Sequence, residues 1–174
     1  MKETSFSNGE NPPDDFDDIA FDYVYALLSR SPSFLKSINN NSSFFQFYSE
    51  LDRHDIAAHD GYIMAKEKNL LGSYAIAFLD NSSDEELLLP TGGITQVGSR
   101  LLCPVTPRRA IVLDDIIMDS YGSTIPLAVY EISDYKTIHD INRLSVIQEQ
   151  RRDGKYIVSR NKQLIEEIID ELLV

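Results

Sequence analysis

Three histidines and a scatter of carboxylates are the residues of this 174-residue chain best suited to acid–base or metal chemistry. His54-Asp55 and His59-Asp60 repeat one doublet at a five-residue interval, a pattern that invites a metal phosphohydrolase. On a continuous helix positions 54 and 59 stand about 140° apart, so a single ion does not easily take both imidazoles. Asp55 and His59, at i and i+4, could share one. Two ligands do not complete a site, and the pattern reads as a surface pair with Asp55 or Asp60 capping a helix. Asp114, Asp115 and Asp119 follow an apolar run and could offer two carboxylates to magnesium or one as a general base. The Glu-x-Lys partner of a nuclease-type centre has no counterpart nearby, so a solvated strand end is the simpler reading. His139, Asp140, Asn142 and Arg143 gather on a later helical segment, where Asn142, between Ile141 and Leu144, is expected to hydrogen-bond a neighbouring loop. Asp114, Asp115, His139 and Asn142 around one cleft make the enzyme-like alternative.

Two loop motifs fail on their spacing. Gly93 and Gly98 have the separation of a phosphate-cradling loop, but Ser99 stands where the motif needs the lysine that meets the β- and γ-phosphates. A hairpin is expected instead. Asp80, Ser82 and Asp84 place oxygens at alternate positions as a calcium loop does, yet Glu85 replaces the turn glycine and Thr91 falls where the bidentate acid belongs. That stretch reads as an acidic turn. No cofactor or metal is expected.

The elements that must position these residues follow from hydrophobic period and punctuation. Residues 1–15 hold Ser, Asn, Gly, Pro and acid with almost nothing to bury, and are expected to form a mobile acidic tail ahead of a single domain over 16–174. Asp17 or Asp18 caps a helix from near Ile19, carrying Phe21, Val24, Tyr25 and Leu28 inward. A short turn of helix with Phe34, Leu35 and Ile38 follows. Phe44, Phe47, Tyr48 and Leu51 open a second amphipathic segment that continues towards Lys68, with a break at 52–55 and a weak point at Gly61. Short strand-like runs then occupy 74–79, 86–89, 93–97, 100–103, 110–113 and 124–132. Ser133 or Asp134 caps a further helix, 156–158 forms a strand, and Asn161 opens a final helix with Leu164, Ile165, Ile168, Ile169 and Leu172 on its inner side. The fold class is α+β: N-terminal helices, a mainly antiparallel sheet of five to six strands covered by helices on one face, and a closing helix-strand-helix.

Three blocks in this order resemble a known family: Leu27 to Pro32, which holds Arg30-Ser31-Pro32; Leu101 to Leu113, which holds Pro104-Val105-Thr106-Pro107; and Ile141-Asn142 followed by Tyr156 to Ser159. Together they are similar to the bacterial family catalogued as domain of unknown function forty-two thirty-eight. Its members show a helical Arg-Ser/Thr-Pro element, a Pro-x-Ser/Thr-Pro strand start, an Asn on the penultimate helix and a Val-x-Ser strand. Members also have a further N-terminal region and a Ser-Asp-Asn-Pro element, where this chain reads Leu89-Pro90-Thr91-Gly92-Gly93. The resemblance implies a trimmed relative and brings no known reaction.

Charge bounds the partners. The formal net charge is −12, yet residues 143–162 hold six basic side chains against Glu149 and Asp153, so the remaining surface is more negative than the total. Such a field repels nucleic acid and anionic lipid and attracts basic protein surfaces. The first residues carry acid where a secretory signal needs positive charge, no apolar run reaches membrane-spanning length, and a single cysteine fits a reducing compartment, so a cytoplasmic location is expected. The basic group Arg151, Arg152, Lys155, Arg160 and Lys162 is expected to pair with acids rather than grip phosphate. Carboxylates held on a rigid face can imitate duplex phosphates, as in phage-type anti-CRISPR or anti-restriction inhibitors. A non-enzymatic acidic binding protein is therefore expected, engaging a basic surface of a host protein or nucleic-acid-binding complex. Asp14, Asp15, Asp17, Asp18, Asp84, Glu85, Glu86, Glu166, Glu167, Asp170 and Glu171 are the expected contacts. A homodimer through the final helix is the remaining alternative.

Overall fold

The computed structural model describes residues 16–30, 50–68, 71, 74–114, 128–151 and 157–173. Outside them lie the acidic tail with Asp14 and Asp15, the expected turn at Phe34 to Ile38, the stripe from Phe44 to Tyr48, and Asp115, Asp119, Arg152, Lys155 and Tyr156. The side chains of Asp17, Leu51 and His54 are outside them too. The described elements are α1 (Phe16–Arg30), α2 (Glu50–Glu67), β1 (Ala75–Asn81), β2 (Leu89–Pro90), β3 (Thr95–Val97), β4 (Arg100–Thr106) and β5 (Arg109–Asp114). They continue with β6 (Ala128–Ile132), α3 (Tyr135–Arg151), β7 (Ile157–Val158) and α4 (Lys162–Leu173). The class is α+β, and the closing helix-strand-helix is present.

Starting at Phe16 instead of near Ile19, α1 has Asp17 and Asp18 in its first turn and not at its cap, and the charge of Asp18 there meets the positive end of the helix dipole. The expected break at 52–55 is absent, because α2 runs unbroken through those positions and through Gly61. Asp134 caps α3 as expected, its Oδ2 accepting from the backbone N–H and the hydroxyl of Thr137 at 2.9 and 2.6 Å. Asn161 likewise caps α4 through Leu164 N–H at 3.3 Å.

Five strands form one sheet in the order β3-β4-β5-β1-β6. It is mainly antiparallel, with β6 running parallel to β1 so that Ala77 lies opposite Ala128 and Asn81 opposite Ile132. β2 and β7 make a separate antiparallel pair. The expectation of helices on one face is corrected: both faces are covered. Ile76, Ile111, Cys103 and Leu113 pack with Val24, Tyr25 and Ala65 of α1 and α2, while Ala77, Leu79, Ala110 and Val112 pack with Ile138 and Ile141 of α3. The physical reason lies in the strands themselves. Residues 75–77 and 110–113 are unbroken apolar runs, and a strand apolar at successive positions has two faces to hide. A third cluster of Leu88, Val146, Leu164 and Ile168 docks α4 against α3.

Polar contacts fix the register of these layers. Tyr25 Oη accepts Leu71 N–H at 3.2 Å, and the rings of Tyr25 and Tyr62 meet edge to face at 6.5 Å. On the other side the hydroxyls of Thr95 and Ser145 lie 2.6 Å apart in the interior, tying β3 to α3. Ile138 is fully buried between α3 and the sheet. Ile138→Ala is expected to cost about 2–5 kcal/mol in urea unfolding, whereas Ile169→Ala, on the open side of α4 at 37% exposure, is expected to cost under about 1 kcal/mol.

Candidate functional site: a charged cavity framed by a histidine bridge

The loop leaving β1 is shaped by one side chain. Asn81 is buried; its Oδ1 accepts Ser83 N–H at 3.0 Å and Ser83 Oγ–H at 2.7 Å, and its Nδ2 donates to the Glu85 carbonyl at 2.7 Å. An Asx-type turn of this kind folds the chain back on itself, pointing Asp84 outward and Glu85 inward. The loop rests on the β4–β5 turn through Leu87 N–H to the Pro107 carbonyl at 2.9 Å. Arg108 Nη1 donates to the carbonyls of Ser83 and Glu85.

Glu85 is 5% exposed, and a carboxylate taken out of water needs every oxygen engaged. Oε1 accepts from Asn142 Nδ2 at 2.6 Å, and Oε2 lies 2.8 Å from His139 Nδ1. Asn142, fully buried on α3, also donates to the Glu86 carbonyl at 2.8 Å and accepts Leu88 N–H at 2.9 Å. It serves the neighbouring loop, as its position between Ile141 and Leu144 led one to expect.

The other ring nitrogen of His139 meets Glu171 Oε2 of α4 at 3.0 Å. Neutral imidazole carries a single N–H, so two carboxylate contacts are both hydrogen bonds only in the imidazolium form. Burial pulls the His139 pKa down, but the hydrogen bonds and charges of Glu171 and Glu85 outweigh it and the net shift is upward. The Glu171 carboxyl is held below its ordinary range, by its hydrogen bond to His139 against a smaller burial effect, with the charges of His139 and Arg143 adding to the lowering. Tyr135, one turn before His139, stacks on the imidazole at 5.5 Å and an interplanar angle of 21°.

This bridge joins the two walls of a cavity of about 390 Å³. Asp84, Glu85, Glu86 and Arg108 form one wall, Arg160, Asn161, Leu164 and Glu167 the other, and Tyr135 is shared between them. Asp84 and Glu86 make no side-chain ion pair among the described residues, and Glu167 accepts only from Gln163 at 2.8 Å. A smaller apolar hollow of about 180 Å³ lies alongside, lined by Leu87, Leu89, Pro104, Val105 and Val158 and sharing Glu86 and Arg160.

The expected contacts divide accordingly. Asp84, Glu86 and Glu167 open into the cavity, and Glu171 borders it through His139. Glu166 pairs with Lys162 at 2.8 Å, while Asp170 is exposed on α4 and Asp18 on α1. Glu85 is spent on an internal bridge. The enzyme-like set does not assemble among the described residues. Asp114 pairs with Ala75 at the start of β1, whereas the Glu85 loop leaves from Asn81 at its end, about 20 Å away along a strand. Asp114 is instead fully buried and accepts from Arg100 Nε and Tyr130 Oη, each at 2.6 Å.

Among the described residues no group of three or more His, Cys, Asp and Glu is placed to hold a metal ion. His59 and Asp60 are an exposed pair 3.4 Å apart. Gly98, at φ 63°, turns the β3–β4 hairpin that replaced the phosphate loop. Asp80 makes a two-point ion pair with Arg109 at 2.6 and 3.0 Å. Cys103 is fully buried, and burial pushes its thiol up to about 12. Arg108, Tyr135 and Asn161 were not anticipated as cavity residues; the i, i+4 spacing of Tyr135 and His139 was the one signal available.

Because the folded-state pKa of His139 is raised, its stabilisation is complete below the ordinary value of 6.5 and is lost as pH rises through the raised value. That of Glu171, lowered from 4.5, is present above 4.5 and is lost as pH falls through the lowered value. The urea midpoint is therefore expected to be higher at about pH 6 than at about pH 8, with His139→Gln removing most of the difference, and the imidazole titration followed by NMR is expected to centre above 6.5. Against known proteins, no family model, no curated protein and no solved structure matches this chain.

Proposed function

We propose that the protein is a non-enzymatic binding protein whose acidic face engages a basic surface on another protein, of the kind that lines a nucleic-acid-binding groove. The observation that carries this reading is the meeting of two acidic clusters far apart in sequence. Asp84 and Glu86 share a cavity with Glu167, and His139 ties Glu85 to Glu171 across them. Asp170 continues the negative surface along the outer side of α4, where Glu166 is paired with Lys162.

Carboxylates with no internal counter-ion keep their charge available, and a rigid array of them steers a cationic surface into register. A phage-type inhibitor of CRISPR or restriction complexes, acting as a nucleic-acid mimic, is the specific role proposed for such a face. A distant relationship to domain of unknown function forty-two thirty-eight belongs to the same proposal and adds no reaction to it. Self-association through α4 is the second reading, since Ile169 and Leu173, one turn apart, are 37% and 80% exposed.

Bead-bound protein is expected to retain a nucleic-acid-binding complex from bacterial lysate at low salt and to release it at high salt or on adding duplex DNA. The triple variant Asp84→Lys, Glu86→Lys, Glu167→Lys is expected to weaken capture at least roughly tenfold, since like charges then face each other. Undiminished capture by the triple variant, or capture indifferent to both salt and DNA, rules the reading out. Sedimentation of wild type and Leu173→Glu reads out the dimer separately.

A further inference from the structure

The cavity between the Glu85 loop and α4 holds opposite charges that do not close on one another. Arg108 donates through Nη1 to two backbone carbonyls, those of Ser83 and Glu85, and makes no ion pair among the described residues. Arg160 makes no ion pair or hydrogen bond among the described residues and lines the same cavity. Facing them are Asp84, Glu86 and Glu167, none of which forms an ion pair with either guanidinium among the described residues. Exposed charges of opposite sign gain little by pairing with one another in water, so both signs stay open to a ligand that brings the complement of each. Here the Asn81 turn holds the loop that carries Asp84, the carbonyls hold Arg108, and Gln163 holds Glu167 at 2.8 Å.

We infer that this cavity is a binding site for a small basic α-amino acid. The charge pattern selects that class. With Glu85 and Glu171 together offset by the His139 imidazolium and by Arg143, 3.6 Å from Glu171, three open carboxylates face two open guanidinium groups, a local excess of one negative charge. A molecule with one carboxylate and two cationic groups is complementary in both number and sign. Its carboxylate lies against Arg108 and Arg160, where planar guanidinium groups bind carboxylate in two-point fashion. Its ammonium group meets Asp84 or Glu86, and its side-chain cation meets Glu167 and the face of Tyr135. That ring is 52% exposed and is held flat by its stacking on His139, which makes it a fixed surface for a cation. The volume of about 390 Å³ falls within the usual size of small-molecule sites, about 300–1,000 Å³. Filling the cavity in this way does not require the acidic face to meet a protein partner.

Calorimetric and amide-shift titrations of the full chain with L-arginine, L-lysine, L-glutamate, putrescine and inorganic phosphate test the assignment. L-arginine and L-lysine are expected to bind saturably, and each of Arg160→Gln and Glu167→Gln is expected to weaken them at least roughly tenfold by removing one charged partner. Arg108→Gln is expected to do the same, but it also removes support from the loop carbonyls. The two variants on the α4 side, one at an unbonded arginine and one at an exposed glutamate, therefore decide the matter if Arg108→Gln does not fold. Putrescine binding as tightly as L-lysine would mean that the acids attract any cation, and phosphate or L-glutamate binding as tightly would mean an anion site. Either result overturns the inference, as does the absence of saturable binding by L-arginine and L-lysine, or binding unchanged in Arg160→Gln and Glu167→Gln.

Discussion

A carboxylate moved from water into a protein interior loses solvation that only several well-placed donors can replace, and Glu85 sets that demand on this fold. It is answered from two directions. Asn142 reaches up from α3 to one oxygen and His139 to the other. Because Asn142 also satisfies the backbone at Glu86 and Leu88, the same helix fixes the whole path of the chain from β1 to β2. His139, drawn into the interior by Glu85, then presents its second nitrogen to Glu171. The cavity walls are thus positioned by one buried charge and its partners, and the apolar contacts of Leu88, Val146, Leu164 and Ile168 beneath them supply the adhesion.

What could be read from the sequence was decided locally. The caps at Asp134 and Asn161 are settled within one helical turn, and the hairpin at Gly98 depends on a single backbone angle. The positions of β1, β3, β4 and β5 followed from apolar runs and their punctuation, and the closing helix-strand-helix from the amphipathic period of α4, whereas the strand expected over 86–89 is irregular chain to Leu88, with β2 confined to Leu89–Pro90. The covering of both sheet faces was also written in the chain, since residues 110–113 are apolar without alternation, but an antiparallel expectation drew attention to one face only.

The site was legible in parts and not as a whole. Asp84, Glu85 and Glu86 are three acids in a row, and nothing in their types says that the middle one turns inward. Asn81 and Ser83 decide it, through a turn whose direction matters only once α3 is in place. The links that complete the site join positions 54 and 32 residues apart, and hydrogen bonds at such separations leave no periodic trace. His139 and Asn142 were singled out as a polar group on one helix, but grouping them with Asp114 linked opposite ends of a strand.

Cys103 has a practical corollary. It is the chain's single cysteine, sealed in the core with its thiol pushed up to about 12, and the thiolate is the form that alkylating reagents attack. Near neutral pH the native protein therefore behaves as a cysteine-free background. A cysteine introduced at an exposed position such as Ile19 becomes the preferred point of attachment for a fluorophore or spin label, without first altering the core.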